Sequence, residues 1–117
     1  MKPEYAQDFL PLSNLSFHIL LALGDAASHG YAIGKEIEER SGGKLSPTTG
    51  GLYQALKRLG EDGLVEHTVS SSSRSTDSRR QYFHLTKLGR QVAALEAARL
   101  NELVAVARDK ELFTGSA

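Results

Sequence analysis

At 117 residues, 40% of them apolar, the chain is one ordinary domain's worth of sequence with enough apolar mass for a modest core. A charged fraction of 24% and the absence of cysteine exclude a highly charged disordered tail, a disulfide framework and a thiolate metal site. Net charge is zero and the isoelectric point is near 6.9, so a polyanionic partner has to be met by local charge, not by the sum. The opening Met-Lys-Pro-Glu-Tyr-Ala-Gln-Asp lacks an apolar run, and the apolar stretch at 17–23 is too short to span a bilayer; both point to a cytoplasmic chain.

An N-terminal arm of residues 1–12 precedes a first helix predicted over 13–24. Ser13 can cap it, and Phe17, Leu20, Leu21 and Gly24 recur at three- and four-residue steps. Ser28 offers a cap for a second helix over 30–40, with Ile33 and Ile37 on one face and Lys35, Glu36, Glu38, Glu39 and Arg40 around the rest. Ser41-Gly42-Gly43 stops it. Ser46-Pro47 opens a third helix, a hydroxyl at the cap followed by proline at the first helical position, where its missing N–H is not needed. Leu52, Leu56 and Leu59 form that helix's buried stripe, and Asp62-Gly63 ends it.

Residues 64–69 and the aromatic segment 81–85 read as two strands, joined across 70–80 by a polar tip rich in serine and arginine. Thr86 caps a last helix that runs to about Lys110. Its stripe of Leu88, Val92, Leu95, Leu103 and Val106 is broadened by Ala93, Leu100 and Ala107. Roughly 24 helical residues extend ~36 Å, more than the width of the preceding three-helix unit, so the stripe is expected to pair with a second copy. The fold class is mainly α with a two-stranded β wing. A winged helix-turn-helix spans 13–85 and a dimerisation helix 86–113.

In that architecture the third helix enters the major groove of DNA and the hairpin lies on the backbone or minor groove. A helical wheel turns Gly50, Gln54, Lys57 and Glu61 away from the leucine stripe, with Tyr53 and Arg58 on the flanks. Glycines at 50 and 51 allow close approach to a phosphate, which Thr48, Thr49 and the first-turn N–H groups can meet. Arg74, Arg79 and Arg80 stand against a lone Asp77 at the tip, followed by Lys87 and Arg90, and make the basic neighbourhood a wing needs. The expected DNA-binding set is Tyr31, Thr48, Thr49, Gly50, Tyr53, Gln54, Lys57, Arg79 and Arg80.

Leu12-Ser13-Asn14-Leu15-Ser16-Phe17-His18-Ile19-Leu20-Leu21-Ala22-Leu23, His29-Gly30-Tyr31-Ala32-Ile33, Gly51-Leu52-Tyr53-Gln54-Ala55-Leu56-Lys57-Arg58-Leu59 with Gly63-Leu64-Val65, and Tyr82-Phe83-His84-Leu85-Thr86-Lys87-Leu88-Gly89 follow in order. Together they resemble the PadR family of transcription regulators over about residues 10–108, in its smaller subgroup with one C-terminal helix. The resemblance implies a homodimeric repressor on an inverted-repeat operator in double-stranded DNA, often responsive to a small aromatic or cationic effector. Position 51 is glycine where such proteins commonly carry serine or threonine, and there is no tryptophan for an aromatic sandwich.

His18, His29, His67 and His84 are scattered without metal-ligand spacing, and no serine sits in a nucleophile elbow. No metal, cofactor or catalysis is therefore expected. The competing reading, favoured by the neutral charge, is a winged-helix protein-interaction module that does not bind DNA.

Overall fold

The computed structural model describes residues 5–68 and 81–113. A 3-10 turn, Ala6–Phe9, leads into α1 (Asn14–Ala22), β1 (Ser28–His29), α2 (Gly30–Arg40), α3 (Thr49–Glu61), β2 (Val65–Thr68), β3 (Tyr82–Leu85) and α4 (Lys87–Asp109). None of the described helices is long and apolar enough to cross a membrane.

The helix ends follow local hydrogen-bond chemistry, with two corrections to the expected caps. Ser13 Oγ accepts from the Ser16 N–H at 3.0 Å, as its position before α1 requires. Ser28, expected to cap α2, is instead a strand residue. The cap is His29, whose Nδ1 accepts from the Ala32 N–H at 3.2 Å. Ser46, expected to cap α3, is drawn aside because its hydroxyl donates to Glu38 Oε2 at 2.8 Å. Pro47 therefore stays outside the helix. Thr48 becomes the cap, its Oγ1 accepting from the Gly51 N–H at 3.0 Å.

The end of α3 fits its sequence closely. Gly63 sits at φ +78, the Gly63 N–H donates to Gly60 O, and the Leu64 N–H donates to Leu59 O. This paired closure needs a left-handed residue, which glycine supplies without a steric penalty.

Leu52, Leu56 and Leu59 are buried as their spacing predicts, against Ile33 and Ile37 of α2 and Ile19, Leu20 and Leu23 at α1. Leu21 of α1 is exposed, so the buried face of that helix lies one step away from the predicted one. Among the described residues the sheet has three strands in the order β1-β3-β2, one more than expected. β1 contributes two residues, Ser28 opposite Phe83 and His29 opposite Tyr82. β2 pairs antiparallel with β3, placing Val65 opposite Leu85 and His67 opposite Phe83. Opposed residues share a sheet face, and on this one Val65 and Phe83 are buried in the core.

The first turn of α4 is pressed onto the α3–β2 junction. Thr86 Oγ1 accepts from the Gly89 N–H at 2.9 Å and donates to Gly63 O at 2.6 Å, while the Thr86 N–H donates to Leu64 O. A Cβ at Gly89 would overlap the Leu64 carbonyl oxygen, a backbone atom with no rotamer to escape by. Beyond this junction Val92 is fully buried and Leu88 is half-buried against the core. Val92, expected on a dimer face, is therefore a core residue of its own protomer, because this part of α4 packs across its own α1.

Glu96 comes next on the same face and is also buried. Its Oε2 accepts from the Leu12 N–H at 2.9 Å, and Arg99 donates to Oε1 at 2.6 Å and to Oε2 at 3.1 Å. The carboxylate so anchors the N-terminal arm to α4. Hydrogen bonding to Arg99 holds its pKa below the ordinary value, with burial opposing and the Leu12 N–H adding to the lowering.

Two stability tests arise here. Gly89→Ala should destabilise by about 2–3 kcal/mol, the upper range for an overpacked site, and lower the melting temperature by roughly 10 °C; an unchanged melt would show that Leu64 can move. Glu96→Ala should cost about 1–3 kcal/mol by leaving the Leu12 N–H without its acceptor. Because the folded carboxylate titrates below its unfolded value, its stabilisation is complete above the usual carboxylate range and is lost as acid carries it through the folded pKa. Hydrogen exchange at Leu12 should then accelerate on acidification relative to the intrinsic rate, and should be fast at every pH in Glu96→Ala.

Candidate nucleic-acid interface

Burial of the leucine stripe fixes which side of α3 meets solvent. Gly50, Tyr53, Gln54, Lys57, Arg58 and Glu61 are exposed, as the wheel predicts. Thr48 and Thr49 precede or open the helix and are also exposed, although the Thr48 hydroxyl is engaged in its cap. Tyr31, one residue into α2, is 68% exposed.

Two depressions flank this face. A groove of about 250 Å³ between α2 and α3 is lined by Tyr31, Lys35, Ser46, Pro47, Thr49 and Tyr53, among others. A wider cleft of about 770 Å³ lies between α3 and the sheet. Its walls include Tyr53, Lys57, Glu61, His67 and Gln81, over a floor of Leu56, Val65 and Phe83. Tyr53 is the ridge common to both. The fold thus gathers Tyr31, Thr49 and Tyr53 at one depression, and Tyr53 and Lys57 at the other. Gly50 and Gln54 stand on the same exposed helix face.

His67 and Gln81 are not in the DNA-binding set expected from sequence. His67 is placed by the ladder: opposite Phe83, it shares that residue's sheet face, and the two rings lie 4.7 Å apart. Once the register is known the alternation of the strands finds it. At the far side of the sheet Glu66 and His84, directly opposed, meet at 3.0 Å. His29 joins the helix-turn-helix to the sheet, its ring edge-on to Tyr82 at 5.3 Å and stacked near Tyr31 at 6.4 Å. Arg74, Arg79 and Arg80 lie outside the described residues.

His18 belongs to the scaffold. Arg40 donates to the His18 carbonyl at 3.0 Å and lies 3.2 Å from its Nδ1. Burial, reinforced by the Arg40 charge, lowers the imidazole pKa and favours the neutral ring.

Gly50 differs from the other glycines of this region. A Cβ there would meet nothing within 4 Å, and its φ is not positive. A Cβ at Gly51, by contrast, would lie 3.0 Å from Thr48 Oγ1. Among the described residues no contact asks for glycine at 50.

Over residues 19–95 the sequence matches the transcriptional regulator PadR-like family. An uncharacterized 37.1 kDa protein in transposon Tn4556 of Streptomyces fradiae is 40% identical over 79 residues, covering 68% of this chain and 21% of that protein. The chain thus spans about a fifth of the length of this relative. Among solved structures, a PadR family transcription regulator from Clostridium difficile R20291 superposes with a TM-score of 0.72 at 25% identity, over 83% of this chain and 97% of the other. RosR from H. salinarum gives 0.64 at 27% identity, over 91% and 100%. Bacillus subtilis PadR in complex with operator DNA gives 0.56 at 24% identity, over 72% and 46%, a likeness of fold.

Since glycine weakens a helix relative to alanine, Gly50→Ala should stabilise the chain by about 0.5–1 kcal/mol in thermal or urea unfolding. A loss of stability would reveal an internal contact at this position.

Proposed function

The chain belongs to the PadR-like family of transcriptional regulators, and on that premise we propose that it is a homodimeric repressor that binds an inverted-repeat operator through α3. The observation that carries this reading is the orientation of α3. Its leucines are buried, so Gly50, Tyr53, Gln54 and Lys57 are exposed, Tyr53 lining both depressions and Lys57 the wider one. In the bound state that face enters the major groove. Lys57 and the first-turn groups at Thr48, Thr49 and Gly50 meet phosphates, Gln54 reaches base edges, and Tyr31 and Tyr53 border the backbone. The sequence adds Arg79 and Arg80 as wing contacts. The capture of Bacillus subtilis PadR on operator DNA supports the assignment.

Dimerisation rests on α4 from Leu95 onward. Leu95, Leu103 and Val106 are 40%, 54% and 50% exposed, and the molecule is elongated, 54 × 35 × 24 Å. Leu88, in the first turn of α4, is half-buried against the core. A second copy packed on the stripe removes that apolar area from water. A small aromatic effector that relieves repression, implied by the family resemblance, completes the reading. The balanced net charge favours the alternative of a protein-interaction module, and a salt titration of duplex binding separates the two, because phosphate neutralisation gives log affinity a negative slope on log salt.

Three outcomes are expected. Lys57→Ala weakens binding to operator and random duplex by similar factors and lowers the salt slope by about one unit; a loss confined to the operator would make Lys57 a base reader. Gly50→Ala, the variant expected to fold more stably, binds duplex more weakly, since its methyl group stands where a phosphate approaches; equal or tighter binding removes Gly50 from the interface. In sedimentation, Leu95→Glu with Leu103→Glu yields monomer, whereas an intact dimer would place the interface elsewhere.

A further inference from the structure

Gly30, the first residue of α2, is buried beneath the side chain of Tyr53. A Cβ at Gly30 would overlap the tyrosine hydroxyl and lie 2.5 Å from Cζ and 3.0 Å from Cε2; its three nearest neighbours all belong to Tyr53. Gly30 is not among the glycines with positive φ, which are Gly42, Gly43 and Gly63, so no backbone turn demands glycine here. Among the described residues, the nearest obstacle to a side chain there is the ring of Tyr53. Tyr53 is itself 41% exposed and stands as the ridge between the α2–α3 groove and the α3–sheet cleft. What the missing side chain provides is a notch that lets this ring lie low.

The two sides of the notch differ in stiffness. Just before Gly30, Ser28 and His29 are held in the ladder opposite Phe83 and Tyr82, and His29 also caps α2 and packs edge-on against Tyr82. The backbone at Gly30 is fixed from three directions. The tyrosine side chain has two rotatable bonds and a half-open surroundings, so a methyl group placed at 30 moves the ring and leaves the backbone where it is.

Resting on the DNA-binding reading above, we propose that Gly30 is a positioning residue of the DNA interface that acts through Tyr53. By seating the ring in the notch it keeps the ridge low enough for a duplex to reach Gly50, Gln54 and Lys57 at once. A side chain at 30 lifts the ring into the space the duplex fills. Gly30 is thus a positioning residue, contacting no DNA itself.

The test is a double-mutant cycle on the full chain: wild type, Gly30→Ala, Tyr53→Leu, and the two combined, leucine being short enough to clear a methyl at 30. Fluorescence anisotropy reads binding to a duplex that the wild-type chain selects from a randomised pool, and to a random-sequence duplex, across a salt series. Gly30→Ala should weaken the selected and the random duplex at least tenfold and lower the salt slope by up to about one unit, since the lifted ring keeps Lys57 from its phosphate. Tyr53→Leu loses its own contact with the backbone and binds more weakly, and the double variant should fall within threefold of Tyr53→Leu, the methyl at 30 adding nothing once the ring is gone. Equal losses from Gly30→Ala in both backgrounds, or no loss in either, would overturn the proposal. If Gly30→Ala alone does not fold, the double variant should still fold and melt within a few degrees of Tyr53→Leu; its failure to do so counts against the notch. A wild-type chain that selects no duplex sinks the DNA-binding reading and this proposal together, whereas selection without coupling between 30 and 53 sinks this proposal alone.

Discussion

The close approach of α4 to the Leu64 carbonyl orders the rest of the molecule. At that point the left-handed turn at Gly63 closes α3, Leu64 leads into β2, and the Thr86 hydroxyl and N–H take up Gly63 O and Leu64 O. Gly89 allows the contact by having no side chain to interpose. Three elements that do different work, an exposed helix, a strand pair and a long C-terminal rod, are thereby referred to one backbone position. Nearby, Arg90 donates to the Gly24 carbonyl at 3.2 Å and extends the same registration to the end of α1.

How far the sequence discloses this depends on the range of the interaction. Ser13, Thr86 and the Gly63 closure act within a few residues, and their chemistry is legible wherever they stand. The Leu52, Leu56 and Leu59 stripe is legible for the same reason, since helical periodicity is local. β1 is not: two residues make no periodic signal, and Ser28 and His29 become a strand only because β3, more than fifty positions away, arrives beside them. The displaced cap of α3 has a related cause. Ser46 and Thr48 offer the same hydroxyl, and the choice between them is made by Glu38 on the preceding helix. For the candidate site, the exposed face of α3 follows from its buried face, while the contributions of His67 and Gln81 require the register of the sheet and its distance from α3.

Glu96 marks the boundary at which α4 changes character. Before it, Val92 and Gly89 face their own protomer; Leu95 beside it and Leu103, Val104 and Val106 beyond it are exposed. An apolar stripe uninterrupted by charge reads as one surface with one purpose, and a carboxylate within it reads as an exception. Yet the carboxylate is what divides it, since its partners Leu12 and Arg99 lay the N-terminal arm over the middle of the helix. A buried charge of this kind adds little net stability over a well-packed apolar side chain, but it sets where the arm lies.

The grip on α4 at one end also makes it a lever. From Gly89 to Val106 is 17 residues, about 26 Å of helix at 1.5 Å per residue. A tilt of roughly 5° about the Leu64 contact therefore swings the far end through about 2 Å, as far as a packed apolar side chain can shift before it loses its neighbours. The fulcrum is set by a glycine with no room to spare, so small errors there are magnified at the tip. In an assembly joined through α4 from Leu95 onward, the separation and angle between the two exposed α3 faces would inherit that amplification. On the proposed reading, mechanical precision at an operator would be decided near residue 89, far from either the duplex or the subunit contact.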